Sequence, residues 1–322
     1  YQTEWLDQLG IEAPTTLDEF VEMLRAFKEN DMNGNGKTDD EIPMSIMSDF
    51  LQQMFGWAFG MDLNSGFYAD EEGTVHYGYY DADKYKAYLT FLNGLYEEGL
   101  LEMEFTSLTR DQITERFANN LTGVTFDFSW QMSQLYSTQF EDYNPDEGGI
   151  VVGVEPLSGE YQGYYSGTNP VKGIFGVNKD AKDLDLAIKF IDYAMSEECQ
   201  TMYAWGIEGL SYNVNEDGTY SYTEQALNDN NWLQQVGINP PCLPYHNDAA
   251  ATDVLLPAWH VETDKHLAEF SHAPWPFIYA TEDESDEIQM YLTDIETYVK
   301  EMHIKYITGS ESLDTFDSYL ST

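Results

Sequence analysis

The sequence predicts an α/β fold that is rich in helices. Amphipathic segments with helical spacing alternate along the chain with short stretches whose apolar residues alternate as in strands. The 322 residues are 42% hydrophobic, which is enough for one large or two ordinary domains with a packed core. The chain also has 24 Tyr, 17 Phe and 7 Trp, whereas disordered acidic proteins have few aromatic residues. We therefore expect a folded protein.

The predicted elements follow from spacing and from helix-capping signals. Thr16 and Glu19 form a capping-box pattern ahead of apolar residues with helical spacing, and Gly99 is placed to end the second helix. The segment 206–272 is rich in Asn, Pro and Tyr and has no period, so we expect loops there. The predicted helices cover 17–27, 83–98, 109–118, 184–195, 197–205, 286–307 and 312–320, and the predicted strands cover 123–128, 149–154 and 173–177.

Charge excludes several classes of partner. Lys and Arg number 14 against 58 Asp and Glu, which gives a formal net charge of -44. A field of this sign repels nucleic acids and anionic lipids, so nucleic acid is not an expected partner. No run of about 18 apolar residues occurs, so no membrane-spanning helix is predicted within the chain. Because the sequence starts without Met or an apolar leader, we expect any export signal to lie outside it.

A metal site is predicted between Asp31 and Glu41, where oxygen-bearing side chains recur at every second position through a glycine-rich turn. Calcium takes about six to eight oxygen ligands, which loops of this spacing supply. Position twelve is Ile42 rather than the usual Glu, so Asp40 or Glu41 must close the site. The predicted ligands of a structural Ca²⁺ are Asp31, Asn33, Asn35, the carbonyl of Lys37, Asp39 and Asp40. A solvated Asn- and Asp-rich turn without metal is the alternative.

Aromatic side chains suggest a ligand site, because sugar rings pack their C–H faces on indole planes. Trp130 directly follows the predicted strand 123–128 and lies beside Asp127, so it would present a ring and polar groups at a strand end. Trp57, Trp205 and Trp275 are further candidates for ligand contact. Packing in the core or between domains is the alternative for each tryptophan.

Catalytic motifs are not found. The six histidines lack the spacings that place two zinc ligands on one helix face. No nucleophile elbow, phosphate-binding loop or dinucleotide glycine pattern occurs. Acidic pairs are too numerous to single out one for glycoside hydrolysis. We predict no catalytic residues.

Several segments resemble one known family. Trp5–Gly10 leading to Pro14–Phe20, and the Asp31–Glu41 loop followed by Ile42-Pro43, are similar to the family-1 extracellular solute-binding proteins of ABC importers, in the branch related to alginate-binding proteins. The stretches 91–100, 206–209 and 306–309 are also similar, so the likeness covers nearly the whole chain. It implies a two-lobed, type II periplasmic-binding-protein-like fold whose lobes close on a ligand. It also implies the calcium ligands given above and a sugar-stacking role for Trp130.

The resemblance also implies domains, partners and location. Segments 1–160 and 225–322 would form the carboxy-terminal lobe, while 161–224 would return to an amino-terminal lobe that is largely missing from this chain. The expected function is capture of a carbohydrate, a neutral oligosaccharide in view of the charge, and its delivery to ABC permease subunits by a monomer. The expected location is extracellular, either lipid-anchored at the cell surface or periplasmic. A secreted carbohydrate-active enzyme or a calcium-stabilised adhesion module is the alternative.

Overall fold

The chain folds into two compact units. The computed structural model describes residues 1–70, 72–167, 176–228, 230–238, 248–273 and 280–322. Unit 1 comprises Tyr1–Asn169 and Glu262–Thr322, and unit 2 comprises Pro170–Val261. These boundaries lie later in the chain than the predicted ones at 160 and 224. The assignment of the two units to lobes stays a prediction.

Helices make up most of the ordered structure. Unit 1 also has a π-helical turn, Met132–Tyr136, and a 3-10 helix, Gly56–Phe59. The α-helices are α1 Thr3–Leu9, α2 Leu17–Glu29, α3 Leu51–Phe55, α4 Ala82–Glu97, α5 Arg110–Ala118, α6 Leu184–Ala194, α7 Glu197–Ala204, α8 Glu224–Asn228, α9 Asn230–Gln235, α10 Ala249–Asp253, α11 Ala258–Leu267, α12 Glu282–Ile307 and α13 Phe316–Leu320.

The strands are short and pair two by two. The strands are β1 Ile42–Met44, β2 Phe67–Ala69, β3 Val75–Tyr77, β4 Thr122–Val124, β5 Tyr165–Ser166, β6 Tyr212–Val214, β7 Tyr220–Tyr222 and β8 Ser271–His272. β1 pairs with β4 and β5 with β8 in parallel, while β2–β3 and β6–β7 are antiparallel hairpins. The parallel pairs bring residues that are distant in sequence to the same strand ends.

The core of unit 1 is built largely from aromatic rings. Trp5 of α1 lies 5.2 Å from Phe27 of α2, centroid to centroid, and both side chains are fully buried. Helix α4 packs against α12, where Tyr85 contacts His303. The other large, fully buried side chains are Phe20, Phe55, Tyr88, Phe105, Phe117, Tyr136, Tyr306 and Phe316. This core fixes the ends of β1 and β4.

Unit 2 has a smaller core around one tryptophan. The Trp205 ring packs against Tyr222 at 4.8 Å and against Tyr220 at 5.5 Å. Its indole N–H donates to Asp248 Oδ2 at 2.8 Å, so the polar atom of this buried ring is satisfied. The described apolar residues that complete this core are Ala204, Tyr212, Ala226, Leu233, Ile238 and Ala251.

Three of the described helices begin with a capping box, and two of them start where the sequence predicts. Thr16 and Glu19 form the predicted capping box of α2. Thr109 forms a second box at α5. Helix α12 begins earlier than predicted, at Glu282, because Thr281 and Glu284 form a third capping box.

Three predictions of extended or irregular structure were wrong. The predicted strand 123–128 is only β4, because its partner β1 ends at Met44 and the pairing stops with it. Over 149–154 only Val151 forms an isolated bridge, with Gln2. The described part of segment 206–272 contains the β6–β7 hairpin and helices α8 to α11. Helices α8, α9 and α10 are too short to show a helical period, and α11 buries only His260 and so lacks an apolar face. The predicted strand 173–177 lies mostly outside the described residues.

Candidate functional site

The Asp31–Glu41 loop curls around its own side-chain oxygens. Asp31 accepts the backbone N–H of Asn35 at 3.0 Å and of Gly36 at 2.8 Å. Asn35 Oδ1 accepts from the backbone N–H of Lys37 at 2.9 Å. Gly34 and Gly36 have φ of 73° and 87°, a left-handed conformation that favours glycine. Hydrogen bonds within the loop therefore shape the turn directly ahead of β1, and Gln8 of α1 also donates to the Asp31 carbonyl oxygen at 2.9 Å.

Two carboxylates at the end of the loop have buried oxygens without partners among the described residues. Asp40 Oδ2 accepts from Asn35 Nδ2 at 2.7 Å, while Asp40 Oδ1 has no partner. Glu41 is 9% exposed, and its Oε1 accepts from Met32 N at 2.9 Å while its Oε2 has no partner. Burying unpaired carboxylate oxygens is unfavourable, and a bound cation would compensate for it.

A metal ion in this loop would need amide and carbonyl oxygens as ligands in addition to carboxylates. Among the described residues no three Asp, Glu, His or Cys side chains converge as a ready metal site. The predicted set needs only Asp31, Asp39 and Asp40 as carboxylates and takes its other ligands from Asn33, Asn35 and the Lys37 carbonyl. Hard oxygen donors of this mixed kind suit Ca²⁺. The residues present fit calcium by donor chemistry, and the buried Asp40 and Glu41 oxygens are the observation that supports it.

Asp127 is held by an ion pair at the end of β4. Arg110 donates from Nε to Asp127 Oδ2 at 2.6 Å and from Nη2 to Oδ1 at 2.7 Å. Tyr136 OH donates to Oδ2 at 2.7 Å. Burial, and then the nearby Asp127 charge, raise the pKa of Tyr136 far above its ordinary value, so its hydroxyl stays protonated. The Asp127 side chain is 3% exposed, and its contacts fix the backbone that carries the next aromatic residues.

Two aromatic side chains project beyond this ion pair. Phe128 is 57% exposed and Trp130 is 48% exposed. The Phe128 ring lies edge-on to Phe50 at 5.8 Å, and the Arg110 guanidinium lies 5.9 Å from its centroid. Exposed rings next to a carboxylate that is fixed by an ion pair are suited to stack on an apolar face of a ligand. We call Phe50, Phe126, Phe128 and Trp130 the aromatic surface.

Trp57 belongs to a second group of side chains in unit 1. Its ring stacks on His272 with a centroid distance of 4.1 Å and an interplanar angle of 33°. Tyr164 lies edge-on to Trp57 at 5.8 Å and to His272 at 5.3 Å. Ser166 pairs with His272 in the β5–β8 ladder. We call Trp57, Tyr164, Ser166 and His272 the Trp57 cluster.

A ring contact links the aromatic surface to the strand that carries Ser166 of the Trp57 cluster. Phe126 of the aromatic surface lies 6.1 Å from Tyr165, which is between Tyr164 and Ser166 in the chain. Sequence reasoning missed Tyr164, Ser166 and His272. It predicted neither β5 nor β8, whose parallel pairing aligns Ser166 with His272, nor the ring contacts of Tyr164 and His272 with Trp57. No local signal in the sequence reveals that pairing.

Two other tryptophan predictions have different outcomes. Trp205 is 4% exposed and lies in the core of unit 2, where its indole N–H donates a hydrogen bond to Asp248. This is the core-packing role given above as the alternative to ligand contact. We therefore leave it out of the candidate site. Trp275 lies outside the described residues.

The comparison with protein families decides where the chain belongs. The model of the bacterial extracellular solute-binding protein family matches residues 1–201, which is more than half of the chain. The chain belongs to this family. Among the described residues of this solute-binding protein, no helix is both long and apolar enough to cross a membrane.

Curated relatives of this solute-binding protein are longer than the chain. Lipoprotein LipO of Bacillus subtilis is 29% identical over 268 residues, which cover 76% of the chain and 50% of LipO. The polygalacturonan/rhamnogalacturonan-binding protein YtcQ of Bacillus subtilis is 25% identical over 98% of the chain and 62% of YtcQ. The fructooligosaccharide ABC transporter substrate-binding protein FusA of Streptococcus pneumoniae is 23% identical over 98% of the chain and 60% of FusA. The chain thus spans about half to three fifths of these relatives.

Solved structures confirm the predicted fold class. The alginate-binding protein AlgQ2 superposes with a TM-score of 0.76 at 19% identity, over 99% of this chain and 66% of AlgQ2. S. pneumoniae FusA in complex with kestose superposes with a TM-score of 0.72 at 21% identity, over 99% of this chain and 67% of FusA. The fold is therefore that of the type II periplasmic-binding-protein-like solute-binding proteins, helix-rich and mixed α/β.

Proposed function

We propose that this protein is the extracellular component of an ABC importer that captures a carbohydrate, a neutral oligosaccharide, and delivers it to the permease. The observation that carries the proposal is the aromatic surface, with Phe128 57% and Trp130 48% exposed at the carboxyl end of β4. Exposed rings on a rigid support are the structural requirement for stacking on sugar C–H faces. The relatives named for polygalacturonan, rhamnogalacturonan and fructooligosaccharide binding support the same ligand class.

The charge of the protein favours an uncharged cargo. A formal net charge of -44 disfavours a polyanion, which would need several cationic partners. The arginine closest to the aromatic surface, Arg110, already donates two hydrogen bonds to Asp127. We therefore expect neutral glycans to bind more tightly than oligogalacturonates of the same length.

The proposal gives the Asp31–Glu41 loop a structural role. Calcium there would be held by the six predicted ligands or with Glu41 as an additional carboxylate, and would neutralise an acidic turn that leads into β1. A solved relative, an EF-hand mutant of FusA bound to fructo-nystose, supports the presence of such a loop in this family. The ion would stabilise the fold without contacting the cargo.

The proposal also assigns the units and the location. Unit 1 would be most of the carboxy-terminal lobe, and unit 2 would belong to the amino-terminal lobe. The protein would act as a monomer outside the cytoplasmic membrane, with a lipid anchor as in the named lipoprotein relative or free in a periplasm.

The test is thermal melting of the full-length protein with a glycan panel of kestose, stachyose, maltotriose and trigalacturonate in 1 mM Ca²⁺. A ligand that binds only the native state raises the melting temperature. We expect a rise with at least one neutral glycan and a smaller rise or none with trigalacturonate. Chromatography of the recovered glycan should show it unchanged, whereas shortened products would favour the enzyme alternative. No shift with any glycan would contradict the proposal and favour the adhesion alternative.

A further inference from the structure

The Trp57 cluster contains buried polar atoms that the fold does not satisfy. The indole Nε1 of Trp57 and the hydroxyl of Ser166 are buried and have no hydrogen-bond partner among the described residues. Burying a donor without an acceptor is unfavourable, and most buried polar groups in native proteins are paired. Two such donors in one cluster therefore need a specific explanation.

The arrangement around these atoms is well determined by its neighbours. Trp57 is held in the 3-10 helix Gly56–Phe59, with its ring against His272 and Tyr164. Ser166 is fixed by its backbone pairing with His272 in the β5–β8 ladder. Ring packing on Trp57 and strand pairing at Ser166 therefore hold the two segments that carry the donors.

His272 adds an acceptor to the same cluster. Its Nδ1 lies 2.9 Å from the carbonyl oxygen of Ala273. Because a carbonyl oxygen only accepts, Nδ1 carries the hydrogen, and Nε2 of the neutral ring is left as an acceptor. The cluster therefore offers two donors, one acceptor and aromatic planes, and none of its four side chains carries a permanent charge.

We infer that Trp57, Ser166 and His272 form a subsite for one uncharged sugar ring of the cargo. Sugar hydroxyls and ring oxygens accept from Trp57 Nε1 and Ser166 Oγ, and a sugar hydroxyl donates to His272 Nε2. The inference rests on the proposed function and deepens it, because it names the residues that form hydrogen bonds with the polar groups of one sugar ring. The aromatic surface, by contrast, contacts the apolar faces of the cargo.

The test compares stability with affinity, because a residue with only a structural role would not weaken glycan binding while leaving the ligand-free protein equally or more stable. An unpaired buried hydroxyl destabilises the ligand-free protein, so Ser166→Ala should leave its melting temperature unchanged or raise it. The same substitution should weaken glycan binding by roughly 3- to 10-fold, the range for loss of one uncharged hydrogen bond. Trp57→Phe keeps an aromatic ring but loses the N–H, and should weaken binding by the same range of roughly 3- to 10-fold. Both are measured by calorimetry on the full-length protein with the neutral glycan from the panel.

Tyr88→Phe is the matched control. The Tyr88 hydroxyl is also buried without a partner among the described residues, but it lies in the core against His303 rather than in the cluster. Its removal should stabilise the ligand-free protein and leave glycan affinity unchanged. Equal affinities of wild type, Ser166→Ala and Trp57→Phe would overturn the inference while leaving the proposed function intact. A fall in the ligand-free melting temperature of Ser166→Ala would also overturn it, whereas wild-type protein that binds no glycan would refute the proposed function itself.

Discussion

The Asp31–Glu41 loop and the Trp57 cluster both hold buried polar atoms that lack partners in the part of the chain that the structure describes, but the chain builds them in opposite ways. The loop takes every residue from one continuous stretch. Gly34 and Gly36 have positive φ there, and Asp31 accepts from the backbone N–H groups of Asn35 and Gly36. The cluster joins Trp57, Ser166 and His272, which come from three distant parts of the sequence. Sites of the first kind can be predicted from spacing, whereas sites of the second kind require the fold.

The largest expected effect concerns the local loop. Removing calcium with EGTA should lower the free energy of unfolding by about 4 kcal/mol relative to a free calcium concentration 1,000-fold above the dissociation constant. Chemical denaturation followed by circular dichroism would measure this difference. Asp31→Ala should abolish the effect of calcium on the free energy of unfolding. Asp62→Ala, which removes an acidic side chain outside the loop, should not abolish it. A wild-type stability that does not depend on calcium would show that the loop is a metal-free turn.

The next effect concerns a contact assembled between α4 and α12. His303 is 3% exposed, and its Nδ1 lies 2.9 Å from Tyr85 OH. Burial lowers the pKa of His303 from 6.5 to about 4. Its neutral form is therefore favoured in the folded state, so its contribution is complete above pH 6.5 and is lost as the pH falls towards 4. The corresponding loss is roughly 3 kcal/mol between these two pH values.

His303→Gln is the variant that isolates this titration, because glutamine does not ionise and can still form a hydrogen bond with the Tyr85 hydroxyl. We expect urea unfolding of the variant to depend less steeply on pH between 7 and 4.5 than that of the wild type. Parallel pH profiles for the two proteins would show that His303 is not responsible for acid sensitivity.

A smaller difference in unfolding free energy is expected between variants of two ion pairs that have similar geometry but different burial. Arg110 and Asp127 form a bidentate pair in which the Asp127 side chain is 3% exposed. Arg25 and Glu98 form another bidentate pair, but their side chains are 48% and 44% exposed. Asp127→Asn should cost about 2 kcal/mol of unfolding free energy, since it weakens buried charge-assisted hydrogen bonds.

Glu98→Gln should cost less than about 1 kcal/mol, because solvent screens exposed pairs. Urea denaturation of both variants measures the contrast. Equal losses would indicate that burial does not distinguish the two pairs and that Asp127 does not anchor the aromatic surface.

The extent of sequence-based prediction follows the same division between local and distant contacts. The capping-box pattern of Thr16 and Glu19 located the start of α2, because the signal lies within four residues. The box of Thr281 and Glu284 at α12 was not recognised from the sequence. The strand expected over 123–128 stops at Val124, since its length depends on where β1 ends. The sequence predicts that the Asp127 side chain contacts the ligand, and the structure shows it hydrogen-bonded to Arg110 and Tyr136. These two partners become apparent only when α5 and the π-helical turn are packed together.

The most direct test of the proposed carrier function is calorimetric titration of the full-length protein with the neutral glycan that raises its melting temperature most. Wild type should bind one glycan per protein, and Trp130→Ala should bind at least roughly 10-fold more weakly, since stacked aromatic residues dominate such contacts. Tyr80→Ala is the control, because Tyr80 is 64% exposed but lies outside the aromatic surface, and it should bind as the wild type does. Unchanged affinity in Trp130→Ala, or no binding by the wild type, would contradict the proposal that this surface captures a carbohydrate.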